Sequence, residues 1–220
     1  MARTLTDEIY GRLREDILTL KMRPGEKVSE AKLARRYNVS RAPIRHVVQR
    51  LQKEDLVIVK PQTGTIIAPI SLEKAREILD VRLQLECYAA SVAAENITGR
   101  DLAELEARFA RLDARRIGAE QKAQRLFEVD SYLHQTIWRL CGNDEIIRIL
   151  NMYRDVMQRI RRATLTFANR MVPSIGEMRD ILAGLKARNP ERTRLAMQRH
   201  ITNISRSVAR VTPDEREQEP

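Results

Sequence analysis

The sequence predicts a mainly α protein in two parts: a small helical module with a β-hairpin before residue 70, and an all-helical bundle after it. Glycine and proline number only eight each in 220 residues, which favours helices over a turn-rich β fold. Apolar residues recur every three or four positions through most of the chain, the spacing of a buried helix face. Only "LVIVKPQTGTIIAPI", residues 56–70, is typical of short strands, with Gly64 at the expected turn.

Three helices are predicted before the hairpin. The first follows Thr4 or Thr6 as its N-cap, and Ser29 and Ser40 are the predicted N-caps of the next two. Only "NVS" separates the second helix from the third. Pro43 fits the first turn of the third helix, where N–H groups lack intrahelical partners. The apolar face of this third helix is formed by Ile44, Val47, Val48 and Leu51.

This order of helix, helix, short turn, helix and hairpin predicts a winged helix-turn-helix, whose third helix enters the major groove of DNA. Arg41 and Arg45 lie opposite its apolar face, and arginine can contact guanine through two hydrogen bonds. Residues 1–70 carry 14 Lys/Arg against 8 Asp/Glu, whereas residues 71–220 carry 26 against 22. This concentration of positive charge favours a polyanionic partner. An arginine pair at this spacing is also compatible with a solvated helix face.

Residues 22–68, "MRPGEKVSEAKLARRYNVSRAPIRHVVQRLQKEDLVIVKPQTGTIIA", resemble the DNA-binding domain of GntR-family transcriptional regulators. The resemblance implies that Arg41 and Arg45 contact bases or nearby phosphates. It also implies that Arg35 and Ser40 hold the DNA backbone and that Gly64 lies at the tip of the wing. The positions that depart from the family pattern are Val28, His46, Val47 and Asp55.

Residues 71–212 are predicted to form a bundle of about six helices, followed by a polar tail at 213–220. The predicted helices span 71–95, 99–117, 119–141, 143–168, 174–188 and 190–210. Asn143, Pro173 and "NP" at 189–190 mark the breaks between them. The basic run "RDVMQRIRR", 154–162, is interpreted as a solvated or interdomain face, and Trp138 as part of the core.

Candidate site residues lie on several of these helices. Asp130 and His134 are four residues apart and therefore point the same way, a spacing that suits two ligands of one metal. The same spacing also fits a surface pair or a buried histidine held by its aspartate. His200 is one of only three histidines. Arg82 either receives a carboxylate ligand or pairs with Glu86, four residues later.

The region 71–210 resembles the FCD ligand-binding domain of the FadR-type branch of the same family. The matching stretches are "VRLQLECYAASVAAENIT", "VDSYLHQTIWRLCGN" and "GEMRDILAGLKARNPERTRLAMQRH". The resemblance implies a divalent metal, such as Zn or Ni, bound by one aspartate and three histidines. Asp130, His134 and His200 match, whereas Met178 stands in the remaining position, and a thioether is a weak ligand for Zn²⁺. The site therefore binds metal through three residues, binds an organic ligand directly, or is vestigial with Met178 packed among apolar groups.

The function expected from these resemblances is that of a homodimeric, ligand-responsive regulator, usually a repressor. Its partners would be a pseudopalindromic duplex operator and a small effector such as an organic or sugar acid. Arg82, Asp130, His134 and His200 would bind the effector. The alternative is a metal-dependent hydrolase or lyase using Asp130, His134 and His200. Because no nucleophile or general base lies at a suitable spacing, no enzyme activity is expected.

Cellular location is predicted from two features. No apolar leader and no apolar run of 18 residues is present, so neither a signal peptide nor a membrane span is expected. Cys87 and Cys141 are isolated from each other, which is typical of a reducing compartment. A cytoplasmic protein is therefore expected.

Overall fold

The computed structural model describes residues 4–60, 64–113, 118–167 and 170–210, and the chain divides into two compact units after Ser71. The N-terminal unit contains three helices and a small antiparallel sheet with strand order β1-β3-β2. Its elements are α1 (Leu5–Leu18), β1 (Lys27–Val28), α2 (Glu30–Tyr37), α3 (Arg41–Lys53), β2 (Val57–Lys60) and β3 (Gly64–Ile67). The mainly helical fold class is confirmed.

The helix caps explain where these helices begin. Thr4 caps α1 in a capping box with Asp7, and the Ser29 side chain accepts a hydrogen bond from the backbone N–H of Lys32. Ser40 occupies the N-cap position of α3 as predicted, but its side chain makes no cap hydrogen bond. The third helical residue normally supplies that donor, and here it is Pro43, which has no N–H. The Ser40 hydroxyl is therefore not used by its own helix.

The sheet differs from the predicted two-stranded hairpin. A third strand, β1, pairs with β3 through Lys27 and Val28, and it is too short to produce a periodic sequence pattern. Gly64 is the first residue of β3, opposite Lys60, instead of lying within the turn. The predicted turn residues 61–63 lie outside the described part of the chain. Helices α2 and α3 correspond to the two helices of the predicted helix-turn-helix.

The C-terminal unit is a helical bundle. Its helices are α4 (Leu72–Asn96), α5 (Gly99–Ala110), α6 (Ala119–Cys141), α7 (Asp144–Met152), α8 (Arg154–Phe167), α9 (Met171–Lys186) and α10 (Pro190–Arg210), with a 3₁₀ turn at Arg111–Asp113. The helix predicted over 143–168 is two helices, because the chain breaks at Tyr153. Pro173 lies in the first turn of α9, where proline is tolerated, and does not precede the helix. The predicted end of a helix at 114–117 and the polar tail lie outside the described residues.

The long helices α4, α6 and α10 form the centre of the bundle. The face of α4 toward the core is rich in alanine, and Ala75, Ala89, Ala90, Ala93 and Ala94 are fully buried. Small side chains let neighbouring helices approach closely, so polar groups that point inward from α4 can reach α6 and α10. None of the described helices is both long and apolar enough to cross a membrane.

We expect Gly184→Ala to destabilise the bundle by about 1–2 kcal/mol. A Cβ at Gly184 in α9 would lie 2.6 Å from Oγ1 and 2.9 Å from Cα of Thr193 in α10, so backbone would have to shift. Overpacking of this kind costs about 1–3 kcal/mol, and the higher helix propensity of alanine offsets about 1 kcal/mol. Chemical denaturation of the purified protein measures the difference in unfolding free energy.

Gly176→Ala is the matched control for this prediction. Gly176 lies in the same helix, is exposed, and has no atom within 4 Å of a built Cβ. Here only the propensity gain applies, so the variant should be as stable as the wild type or more stable by up to about 1 kcal/mol. Equal effects at the two glycines would contradict the close α9–α10 packing as the cause.

Candidate functional site

The third helix of the N-terminal unit presents its basic residues to solvent. Its apolar face is buried to 3% exposure or less at Ile44, Val47, Val48 and Leu51. Arg41 and Arg45 lie on the exposed side, as the spacing predicts. The Arg45 Nη2 atom lies 3.5 Å from Oε2 of Glu30, and the Arg45 side chain is 64% exposed. A pair this exposed is weak, so the guanidinium can leave Glu30 for another partner.

The other predicted DNA-contact residues are exposed as well. Arg35 lies near the end of α2 and Ser40 at the start of α3. Gly64 has a φ of +95°, a backbone conformation that residues with a Cβ rarely adopt. The unit thus presents a helix N-terminus, three arginines and a glycine-containing strand to solvent.

In the bundle, Asp130 and His134 of α6 meet His200 of α10. The two histidine Nε2 atoms are 3.4 Å apart. Oδ1 of Asp130 lies 3.6 Å from Nε2 of His134 and 3.5 Å from Nε2 of His200. All three residues are buried. The structure therefore unites the three residues that the sequence singled out, and we call them the Asp–His cluster.

Each histidine of the Asp–His cluster is held from behind by a glutamate. Nδ1 of His134 contacts Oε2 of Glu86, and Nδ1 of His200 lies 2.9 Å from Oε2 of Glu177. A histidine that donates its Nδ1 proton to a carboxylate has an unprotonated Nε2 when the ring is neutral. Both Nε2 lone pairs then face the same point beside Asp130.

This donor set fits a divalent cation. The three candidate ligand atoms lie within 4.8 Å of one another, and carboxylate–histidine pairing is the usual support of metal-bound imidazoles. Met178 is fully buried on α9, next in sequence to Glu177. The sequence signal for Glu177 is its place beside Met178, but helical spacing alone does not distinguish it from other glutamates.

Arg82 makes the ion pair with Glu86 that the sequence left as one of two alternatives. Its Nε donates to Oε1 of Glu86, and both side chains are almost completely buried. Its Nη1 atom has no hydrogen-bond partner among the residues that the structure describes. Glu86 also accepts a hydrogen bond of 3.2 Å from Nε1 of Trp138, so this tryptophan is more than an apolar core residue. Pairing with Glu86 thus leaves part of the Arg82 guanidinium unused.

The basic run on α8 is only partly solvated: Arg154 is 55% exposed, as a solvated face predicts, whereas two later arginines are not. Arg159 is 4% exposed, and the Arg161 side chain is 11% exposed. Nη1 of Arg161 contacts Oδ2 of Asp130, a carboxylate 31 residues earlier in the chain. Arg170 similarly donates to both oxygens of Glu177, at 2.8 and 2.6 Å. Spacing within one helix gives no signal for the contact of Arg161, because Asp130 lies on α6, whereas Arg170 caps the same helix that carries Glu177.

The charged groups in and around the Asp–His cluster shift one another's pKa values. Burial disfavours the ionised form of Asp130, yet Arg161 and His134 hold the pKa of this carboxyl well below its ordinary value. Burial opposes ionisation of Glu177 too, but hydrogen bonds from His200, Arg170 and Asn203 lower its pKa to about 2. For His200, burial is outweighed by Asp130 and Glu177, so its pKa is raised. The carboxylates are therefore ionised at neutral pH.

Space beside the Asp–His cluster is small. A cavity of about 20 Å³ is lined by Asp130, Arg161, Arg170 and His200, among others. A volume of this size holds about one water molecule or one ion. An organic molecule with several non-hydrogen atoms therefore requires side chains or helices of the bundle to move.

Comparison with known proteins identifies both units. The sequence model described as "FCD domain" matches residues 77–203, and the one described as "Bacterial regulatory proteins, gntR family" matches residues 5–67. The HTH-type transcriptional repressor RspR of Escherichia coli K12 is 28% identical over 208 residues, covering 94% of this chain and 90% of RspR. These matches extend over both units.

Two solved structures share the fold. McbR/YncC of E. coli superposes with a TM-score of 0.72 at 22% identity, covering 96% of this chain and all of McbR. A GntR-type protein of Rhodococcus sp. RHA1 gives a TM-score of 0.77 at 19% identity, covering 94% of this chain and 98% of that one. At such identities the similarity shows the fold alone.

Proposed function

Because the chain belongs to the GntR family of bacterial regulatory proteins and carries an FCD domain, we propose that it is an effector-responsive repressor. The observation that carries this proposal is the buried Asp–His cluster, with the incompletely paired Arg82, inside the FCD bundle of a DNA-binding protein. RspR is named a transcriptional repressor, which supports repression, and not activation, as the proposed mode of regulation. An operator on the chromosome would place the protein in the cytoplasm.

The N-terminal unit would bind DNA through α3 and the β2–β3 wing. Arg41 and Arg45 would reach base edges from the exposed start of α3. The hydroxyl of Ser40, which makes no cap hydrogen bond within α3, and the Arg35 guanidinium would contact the DNA backbone. Gly64 would let the wing backbone approach a groove.

The effector would be a small carboxylate, such as an organic or sugar acid. Arg82 is buried, and its Nη1 atom has no hydrogen-bond partner within the described part of the chain, so its guanidinium favours a carboxylate partner. Asp130, His134 and His200 would hold the rest of the molecule directly or through a cation. Since the cavity is only about 20 Å³, effector binding would shift the bundle between two packings. This shift would couple the effector to DNA affinity.

A divalent cation such as Zn²⁺ or Ni²⁺ would be held by Oδ1 of Asp130 and the Nε2 atoms of His134 and His200. When bound, it would supply a positive charge that coordinates an effector carboxylate. Glu86 and Glu177 would orient the two imidazoles from behind. We propose no catalytic role for the cluster, because both of these glutamates are already engaged by histidine and arginine.

Selection of duplexes from a random pool tests the proposed function. We expect a pseudopalindromic sequence whose binding weakens steeply with salt, as phosphate contacts require. Adding a panel of organic and sugar acids should then identify one that changes the affinity for this duplex. Binding that shows no sequence preference, or turnover of a substrate in place of a change in DNA affinity, would refute the assignment.

We also propose that the protein is a homodimer and that an outward face of α4 contributes to the interface. Val81, Leu85, Tyr88 and Val92 follow one another at helical spacing. Val81 is 39% and Tyr88 54% exposed, and the other two are half-buried. An apolar stripe of this kind on a two-fold axis would pack on its own copy.

Tyr88→Glu should convert the dimer to a monomer and weaken operator binding, because a charge would be buried at the interface. Val172→Glu is the matched control, since Val172 is 74% exposed on α9 and lies outside the stripe. Sedimentation equilibrium measures the mass of each variant. If the Tyr88→Glu protein remains dimeric with an unchanged dimer dissociation constant, this face of α4 is not the dimer interface.

A further inference from the structure

Arg161 contacts the carboxylate of the Asp–His cluster. Its Nη1 atom contacts Oδ2 of Asp130, while Oδ1 of the same carboxylate faces the two histidines. Arg161 and Asp130 are 11% and 10% exposed, so water screens their charges poorly. The guanidinium therefore acts on the one anionic donor of the cluster from its opposite side.

The charges around the cluster are already paired before any metal is added. Three contacts join an arginine to a carboxylate: Arg82 to Glu86, Arg161 to Asp130 and Arg170 to Glu177. Histidine adds no negative charge, whether neutral or protonated. Among the residues that the structure describes, a dication would therefore meet no excess of anions, and it would lie close to a guanidinium, which stays protonated in proteins. Coulomb repulsion between two such cations is strong where the effective dielectric constant is low.

Arg161 could act on a cation in two opposite ways. A hydrogen bond to the outer oxygen of a ligating carboxylate orients this ligand and thereby strengthens metal binding. The positive charge of the same group lowers the basicity of Asp130 and repels the metal. The second effect should dominate here, because Oδ1 of Asp130 already lies 3.5–3.6 Å from both Nε2 atoms and needs little further orientation.

We propose that Arg161 takes the place of a metal's charge beside Asp130 and sets the preference of this cluster toward anions over divalent cations. The inference rests on the proposed cation donors, Asp130, His134 and His200, but not on the assignment of DNA binding. With Met178 standing where the resemblance implies a third histidine, the chain would bind divalent metal weakly, and an anionic effector would be attracted by Arg161 as well as by Arg82.

Zinc titration of the full-length chain, stripped of metal with EDTA, tests this inference. The dissociation constant for Zn²⁺ alone is measured by competition with a chromophoric chelator. Arg161→Gln should bind Zn²⁺ at least about tenfold more tightly than the wild type, because it removes a poorly screened positive charge that repels the metal. Arg161→Lys, which keeps the charge, should remain close to the wild type.

Arg162→Gln is the matched control on the same helix. It removes the same charge, but Arg162 donates to Gln124 at 3.3 Å and lies over the ring of Phe127. Its zinc affinity should stay within about threefold of the wild type, since its hydrogen bond to Gln124 is exposed to solvent, which screens the charge. Thermal unfolding confirms that each variant is folded, and Arg161→Met replaces Arg161→Gln if the latter is not.

Three results would overturn the inference. They are an unchanged or weaker zinc affinity of Arg161→Gln, an equal gain in Arg162→Gln, and absence of zinc binding in every variant. Operator binding by the same wild-type preparation is measured in parallel. If the wild type binds its selected duplex while one of these results is obtained, the role of Arg161 fails and the proposed regulator function stands.

Discussion

Replacing Glu86 with alanine is expected to lower the free energy of unfolding by about 3–5 kcal/mol. The Glu86 carboxylate is completely buried and accepts contacts from Arg82, His134 and Trp138. Burial opposes its ionisation, but the charges of Arg82 and His134 keep its pKa below the ordinary value. Removing it leaves a buried guanidinium and two N–H donors without their partner. Urea unfolding of the purified protein, followed by circular dichroism, measures the loss.

Glu77→Ala is the matched control for Glu86→Ala. Glu77 lies on the same helix and also pairs with a basic residue, Lys74, but both side chains are well exposed at 58% and 61%. An exposed pair contributes about 0–1 kcal/mol, so this variant should unfold almost as the wild type does. Glu86→Gln should fall between the two, because it keeps a hydrogen-bond acceptor and loses the charge. Equal stabilities of Glu86→Ala and Glu77→Ala would contradict the central role of Glu86.

Arg45→Ala is expected to weaken binding to the selected operator by about 1–3 kcal/mol and to relax base preference at one position in each half-site. Arg45 projects from the exposed side of α3, where it makes a weak pair with Glu30. Its loss removes a base contact without disturbing the apolar face of the helix. Fluorescence anisotropy with the selected duplex and with single-base variants measures both effects.

Lys60→Ala provides the comparison for Arg45→Ala. Lys60 is exposed at the end of β2, opposite Gly64, where a phosphate contact is expected. Its loss should weaken binding about equally for all duplexes and reduce the slope of the salt dependence by about 1. If Arg45→Ala behaves in this uniform way, Arg45 contacts phosphate, and the proposed base contact is wrong.

Local sequence signals predicted most of the N-terminal unit. The spacing of Ile44, Val47 and Leu51 predicted which face of α3 is buried, and the structure confirms it. Thr4 and Ser29 are caps because their side chains bond to N–H groups three residues later, a relation that is legible in sequence. Strand β1 was missed, since two residues cannot show a period and its pairing partner is nearly 40 residues away.

The site in the bundle was predictable only within one helix. Asp130 and His134 were paired from their i,i+4 spacing, which helix geometry alone dictates. The family resemblance added His200 to this pair, and the structure places all three residues of the Asp–His cluster next to one another. Their roles toward effector and metal stay predictions, as do the DNA contacts of Arg35, Ser40, Arg41, Arg45 and Gly64. The burial of Arg159 and Arg161 on α8 was not predicted. Charged residues on a helix are usually solvated, and the sequence gives no sign that Asp130 of another helix pairs with Arg161.

By itself, the sequence determined the fold class, the two-part organisation and the buried face of α3, since these follow from periodicity, caps and breaks along the chain. Tertiary structure alone decided that Glu86 and Glu177 support the two histidines and that Arg161 is buried against Asp130. Such contacts join helices that are far apart in sequence. They depend on how closely α4, α6, α8 and α10 pack, and no local pattern carries this information.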